Sequence, residues 1–226
     1  MYKLSPSDFA YLYEECKLCY YLKVVHNIYQ PSMPMPGVFS AINTQIQGSL
    51  VGKNLKSLSD TLPEGNIVSQ EGWVESIVVP QTSVYIKGKY DLLLENPDKT
   101  YSLIDLKIST PDDGKAEKYK TQLSAYKFAL ENPRRGSAIT ISKTALLIFY
   151  PESVSFENGI AKLDFPPTWL EIKPDMDQFH GFMKEIDQLL KEPPPKESNN
   201  CKWCNYRHIG EELTHEDSVK QGEIPF

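Results

Sequence analysis

Apolar residues recur along the chain with two periods, and the switches between them mark out its elements. Near the start, Ser5-Pro6-Ser7-Asp8 predicts a helix N-terminus, with serine as cap, proline at the first helical position and an acid in the first turn. That helix is expected to run to about Val25 and to carry Cys16 and Cys19. A connector punctuated by proline, from Pro31 to Pro36, leads to a second helix with Phe39, Ile42, Ile46 and Leu50 at helical spacing, weakened by Gly48 and Gly52. The period then falls to two. Ile67 to Val79, Val84 to Leu94 and the stretch around Ile104 predict strands of an antiparallel meander, with Asn96-Pro97-Asp98-Lys99 as a turn bearing proline at its second position.

Thr110-Pro111-Asp112-Asp113-Gly114 breaks this pattern ahead of a helix from about Ala116 to Glu131, striped by Tyr119, Leu123, Tyr126 and Leu130. The unbroken apolar run from Ala145 to Tyr150 predicts a buried, central strand. Val154 to Phe156 and Ile160 to Phe165 flank Glu157-Asn158-Gly159, a hairpin turn signal. A last helix opens on Asp175, with Gln178 three residues later, carries Phe179, Phe182, Met183, Ile186, Leu189 and Leu190, and stops at Pro193-Pro194-Pro195. The order of elements is an α+β plan, with a mixed sheet flanked by helices.

Candidate chemistry lies in the meander. Ile104, Leu106 and Ile108 alternate with Asp105 and Lys107, which places the charged pair on one face of the strand, expected to be open. A hairpin brings Asp91 across from Asp105. Two carboxylates and an ammonium on one face suggest metal-assisted hydrolysis: Mg²⁺ or Mn²⁺ at oxygen ligands activates a water and stabilises the charge growing on a phosphate. Asp91 and Asp105 are candidate ligands with the backbone carbonyl of Leu106, and Lys107 is placed to stabilise the anion or orient the nucleophile. Gln122 and Tyr126 share one helix face and are expected to reach the substrate backbone or steady Lys107. The plainer reading of an Asp-x-Lys strand is an exposed ion pair worth about 1 kcal/mol at most.

Cysteine usage adds a second centre. Cys16-x-x-Cys19 and Cys201-x-x-Cys204 are the chain's only cysteines, a pair near each end. Two such pairs form a four-thiolate set able to hold zinc or an iron–sulfur cluster, against the alternatives of a redox-active pair or buried free thiols. His208 is a possible replacement ligand, though its position suits a surface histidine.

With 226 residues, 40% hydrophobic and 24% charged, the chain predicts one domain over residues 1–210. Residues 1–30 and 192–210 would form the cysteine-bound staple, and 211–226 an acidic, flexible tail with Glu211, Glu212, Glu216, Asp217 and Glu223. No apolar run approaches the ~20 residues that span a bilayer, and the first residues lack the apolar segment of a secretory signal, so a soluble, cytoplasmic protein is expected. The net charge of −6 argues against indiscriminate nucleic-acid binding without excluding a basic groove. Lys87, Lys89, Lys118 and Lys120, with Arg134 and Arg135, are candidates to follow a phosphate backbone; an ordinary solvated face is the alternative. Trp73, Trp169 and Trp203 are candidates to stack bases, but two of the three are expected in the core and Trp203 beside the thiolates.

Gly88-Lys89-Tyr90-Asp91, Asp105-Leu106-Lys107 and the Tyr119, Gln122, Tyr126 helix resemble the Gly-x-x-Asp, (Asp/Glu)-x-Lys and Gln-x-x-x-Tyr motifs of the PD-(D/E)XK nuclease superfamily. Within it, the chain is similar to RecB-like exonucleases, including the CRISPR adaptation nucleases and AddB-type helicase–nucleases. Cys16-Lys17-Leu18-Cys19-Tyr20-Tyr21-Leu22 resembles the segment that donates the N-terminal cluster thiolate in iron–sulfur members, and Cys201 and Cys204 sit where those members return their C-terminal thiolates. The resemblance implies a PD-(D/E)XK fold, Mg²⁺- or Mn²⁺-dependent cleavage of DNA, single-stranded or at ends, and tilts the cysteine site toward [4Fe–4S] over Zn²⁺. Two departures stand out. Many relatives place one cysteine before the core and three after, whereas this chain has two and two. Gln47 aligns where RecB-like enzymes carry a metal-binding histidine, with Asn43 and Asn54 as competing positions, so a binding module with the fold but weak or no turnover is the second reading.

Overall fold

The spine of the fold is a long antiparallel ribbon of β2 (Asn66–Val78) and β3 (Val84–Glu95). The structure, a computed structural model, describes residues 1–31, 36–112 and 114–215; the middle of the proline connector, Asp113, and the expected tail residues Glu216, Asp217 and Glu223 lie outside the described residues. On the edge of β3 away from β2, the partner changes partway along. Val84 to Ile86 run parallel to β1 (Tyr2–Leu4), whereas Leu92 to Glu95 pair antiparallel with β4 (Tyr101–Ile108). From Lys87 to Asp91, that edge has no ladder partner among the described strands.

From β4, helix α3 (Lys115–Glu131) carries the chain to β5 (Ile141–Phe149), which lies parallel to β4, as a crossover helix permits. β8 (Pro167–Glu171) closes the sheet antiparallel to β5, giving the order β1-β3-β4-β5-β8 with β2 paired to β3. Between them, β6 (Ser153–Glu157) and β7 (Ile160–Asp164) form a separate exposed hairpin, turned at Asn158 and Gly159, both at positive φ as such a tight turn requires. The meander, the central place of β5 and this hairpin match the periodicity of the sequence. β1 and β8 do not show in it. β1 is only three residues long, and β8 opens on proline, which an edge strand tolerates because its free side needs no donor.

Helices cover both faces of the sheet. α2 (Gly37–Leu50) packs its Ile46 and Leu50 with Leu92, Leu94, Ile104, Leu106 and Leu147. The opposite, larger core joins Leu103, Leu146 and Ile148 to Leu123 and Tyr126 of α3 and to Phe179, Met183 and Ile186 of α4 (Met176–Lys191). Asp175 caps α4 by accepting from the Gln178 amide at 2.9 Å, as its sequence signature predicts. Because Leu103 lies under α3, Asp105, two residues on, does too. The face expected to be open is therefore roofed, and Asp105 is 6% exposed.

The expected helix from Ser5 to Val25 is broken. A 3₁₀ turn over Pro6–Asp8 passes into a π turn over Phe9–Tyr13, and α1 proper spans Lys17–His26. Ser5 takes the N-cap position but makes no side-chain capping bond. Cys16 stands outside α1 as its extended N-cap residue, so that Tyr13 enters an aromatic cluster with Tyr20 and Phe182 while the Cys16 thiol turns to the other cysteines. The C-terminal residues from Lys202 to His215 form α5. No described helix is long and apolar enough to cross a membrane.

Candidate active site and thiolate centre

The split between β3 and β4 is where the charged residues converge. Ladder pairing ends at Leu92 and Ile104, and just beyond it Asp91 Oδ2 accepts the Leu106 amide at 2.8 Å, so a carboxylate takes the place of a backbone partner. Asp105, on the next strand, is held at both oxygens. Its Oδ1 accepts from Gln122 Nε2 at 2.8 Å, and its Oδ2 lies 2.5 Å from Lys107 Nζ. Gln122 thus bonds Asp105, the acid that pairs with Lys107. Tyr126 donates to the carbonyl of Lys89 at 2.8 Å and ties α3 to the unpartnered stretch of β3.

That contact explains Gly88. A Cβ there would stand 2.9 Å from Tyr126 Oη and 3.1 Å from Pro6 Cδ, so the helix, the N-terminal turn and the strand meet at this closeness only over a glycine.

Electrostatics suit a cation. Burial, with the neighbouring Asp105 charge, pushes the Asp91 carboxyl up to about 7 against the pull of Lys107 and the Leu106 amide. Burial also pushes Asp105 up. Against the cost of its own burial, Lys107 is held charged by Asp105. The donor set of oxygens from two desolvated carboxylates fits a hard divalent ion, which would offset their mutual repulsion.

Two residues at this site, Tyr11 and Glu71, carry no sequence signal. Tyr11, on the π turn, touches Tyr119 hydroxyl to hydroxyl, and Lys118 Nζ sits 3.8 Å above its ring. π turns are frequent at functional sites, but nothing in the sequence betrays one. The Tyr119 ring lies 4.8 Å from Lys107 Nζ. Glu71, at φ 48° within β2, pairs with Lys89 at 2.5 Å and adds to the upward push on Asp91. An aromatic or acid belongs to no pattern until the strands are in register.

Gln47 is 2% exposed on α2, and neither atom of its amide has a hydrogen-bond partner among the described residues. Its competitor Asn54 is engaged elsewhere, accepting from the Lys56 amide at 3.0 Å. Of the basic candidates, Lys87 pairs with Glu75 at 2.8 Å, Lys89 with Glu71, and Lys120 with Glu117 at 3.4 Å. Trp169 packs on the smaller core and Trp203 on the cysteines, but Trp73 is 74% exposed, against the expectation of two core tryptophans. The reason is register: Trp73 pairs with Lys89 and shares its outward face.

All four cysteines are buried together, joining the N- and C-terminal segments. Cys19 Sγ lies 3.7 Å from Cys201 Sγ and 3.6 Å from Cys204 Sγ, and Cys16 Sγ lies 3.9 Å from Cys204 Sγ, with all four within 4.8 Å of one another. Four sulfurs at ~2.3 Å from one tetrahedral ion stand about 3.8 Å apart, which fits this spacing. A [4Fe–4S] cube takes its thiolates at separate corners, farther apart than these sulfurs are. Burial pushes the Cys19 thiol up to about 11 and the Cys204 thiol up as well, while burial of Cys16 is outweighed by hydrogen bonds that bring it below the usual thiol range, so a bound cation is what would hold all four as thiolates. His208 is not among them; its Nε2 lies 2.8 Å from Glu197 on the surface.

No curated protein matches this chain. A solved structure titled "Crystal structure of SSO0001" aligns with 92% of this chain and 84% of its own, at 17% identity and a TM-score of 0.49. The sequence profile of the PD-(D/E)XK nuclease superfamily matches residues 64–209, from the start of β2 into α5 and so across every carboxylate, lysine and glutamine of the split sheet. A match over more than half its length places this chain in the PD-(D/E)XK nuclease superfamily.

Proposed function

We propose that the chain is a divalent-metal-dependent nuclease that hydrolyses DNA phosphodiester bonds, on single strands or at ends. One observation carries this reading: Asp91, Asp105 and Lys107 meet at the split between β3 and β4, with Asp105 fixed by Gln122 and Asp91 by the Leu106 amide. Mg²⁺ or Mn²⁺ held by Asp91, Asp105 and the Leu106 carbonyl would supply an activated water and a counter-charge for the phosphate. The protein's own part is positional. Gln122 fixes the Asp105 carboxylate in one rotamer, and Lys107, poised beside both acids, presents its ammonium to the non-bridging oxygen on which charge develops. The unpartnered Gln47 amide supports a further, neutral ligand from α2, which packs against β4.

For the cysteines we propose a single zinc ion, supported by the tight sulfur spacing, in a structural and closed site. Purified protein would then be colourless with one equivalent of zinc; a brown protein with iron and sulfide would reverse the assignment.

The nuclease reading is tested with labelled single- and double-stranded DNA in Mg²⁺ or Mn²⁺. Cleavage is expected to fall about 100-fold or more in Asp105→Ala. Unchanged cleavage in that variant would overturn the proposal. The presence of an amide at Gln47 favours one other reading, a nucleic-acid-binding module with weak turnover, and its signature is DNA affinity without metal-dependent cleavage.

A further inference from the structure

The outer face of the β2/β3 ribbon runs along the strand that carries Asp91. Register puts Glu75 opposite Lys87 and Trp73 opposite Lys89, and alternation puts Lys87 and Lys89 on one face of β3, away from the Gly88 side that meets Tyr126. Trp73 therefore lies one ladder step, about 7 Å along the strand, from the level of Asp91. Beside it, the chain leaving α3 docks on the edge of β2: the Arg134 amide bonds the Glu75 carbonyl at 2.7 Å, and Ser76 bridges Pro133. This docking sets Arg134 and Arg135 next to the indole. The result is a groove of about 650 Å³ lined by Trp73, Val74, Glu75, Lys87, Arg134 and Arg135.

Two features of this groove require explanation. Tryptophan is on average among the well-buried side chains, yet Trp73 is 74% exposed. The surface around it, Lys87, Lys89, Arg134 and Arg135 against Glu71 and Glu75, is cationic on a chain of net charge −6. An exposed indole among cations is the combination that binds unpaired bases and their phosphates.

We propose that this ribbon face is the track for the single-stranded part of the substrate, with Trp73 stacking a base about two nucleotide rises of 3.4 Å from the phosphate at Asp91. The proposal rests on the nuclease reading for its direction, toward the carboxylates, but the binding it describes needs no cleavage. Bases inside a duplex are already stacked on both faces and cannot reach the indole, so the track favours single strands over duplex. Arg135, with no carboxylate partner among the described residues, meets a phosphate directly, whereas Lys87 and Arg134 share Glu75.

The test is fluorescence anisotropy with a labelled oligothymidylate in EDTA, so that binding is separated from turnover. Trp73→Ala is expected to weaken binding about 10-fold or more, with Trp73→Phe retaining most of it. Arg135→Glu is expected to weaken it several-fold and to flatten its salt dependence. A blunt duplex of equal length should bind more weakly and respond little to Trp73→Ala. Both side chains are exposed, so the variants are expected to fold. Wild-type affinity in Trp73→Ala and Arg135→Glu, or no affinity of the wild type for the single strand, overturns the track. If the wild type binds the oligonucleotide through Trp73 but cleaves nothing in Mn²⁺, the track stands and the nuclease reading fails.

Discussion

Gly88 shows how a single position joins packing to chemistry. Its missing side chain lets Tyr126 reach the Lys89 carbonyl, and that bond holds β3 where Asp91 can cap the Leu106 amide. Gly88→Ala is therefore expected to cost about 1–3 kcal/mol of stability, as overpacking does, measured by urea unfolding. A cost under a few tenths would mean that Tyr126 moves freely. Gln47 gives a test of opposite sign. Imidazole is a better ligand than an amide, so Gln47→His is expected to tighten Mn²⁺ binding in titration calorimetry, and affinity equal to wild type would place Gln47 outside the metal site. That Asp91, Asp105 and Lys107 come together was legible in the sequence, because Asp105 and Lys107 alternate with apolar neighbours that fix their shared face and a hairpin brings Asp91 across. Glu71 and Tyr11 were not, since their relevance comes from a left-handed residue within β2 and from a π turn, neither of which leaves a compositional trace.

Elements are aligned by a few polar contacts at their ends. Asp187 of α4 accepts from both the amide and the hydroxyl of Ser83, in the tight turn of the β2/β3 ribbon, and pairs with Lys191 at 2.6 Å. Burial pushes this carboxyl up, but Lys191 and Ser83 outweigh it and hold it below the usual carboxylate range. Its contribution is thus complete above the unfolded value of ~3.9 and is lost as pH falls through the lower folded value. Asp187→Ala leaves the Ser83 amide without its partner and is expected to cost about 1–3 kcal/mol at neutral pH, with the difference from wild type shrinking in acid. A difference that stays constant to pH 2 would assign the cost to packing alone. Helices α2, α3 and α4 and the long strands were readable from periodicity, whereas α5 was not; the break at Cys16 was not either, because both the aromatic stripe and the cysteine pair are compatible with an uninterrupted helix until their separate burial sites are known.

Across the whole molecule, a metal ion at the four clustered cysteines would close a loop of nearly the entire chain, from Cys16 to Cys204, and tie the N-terminal segment that carries Pro6 and Tyr11 to the C-terminal one. Loop closure of this length removes several kcal/mol of unfolded-state entropy. Cys201→Ser, or removal of the metal by a strong chelator, is expected to lower the melting temperature by roughly 10 °C or more and to depress activity with it. An unchanged melting temperature would show that the four thiols are simply packed. The sequence pairs the cysteines by their spacing, but that the two pairs meet in one cluster is supplied only by the fold.

The central claim is that Lys107, fixed between Asp105 and Tyr119, acts on a phosphodiester beside metal held by the two acids. It is tested most directly by single-turnover cleavage of an end-labelled single-stranded oligonucleotide at saturating Mn²⁺, comparing wild type with Lys107→Met, which keeps the stem and removes the charge. The wild type is predicted to cleave and the variant to be slower by about 100-fold or more, with Mn²⁺ still bound. Equal rates in the two proteins, or no cleavage by the wild type, would contradict the account.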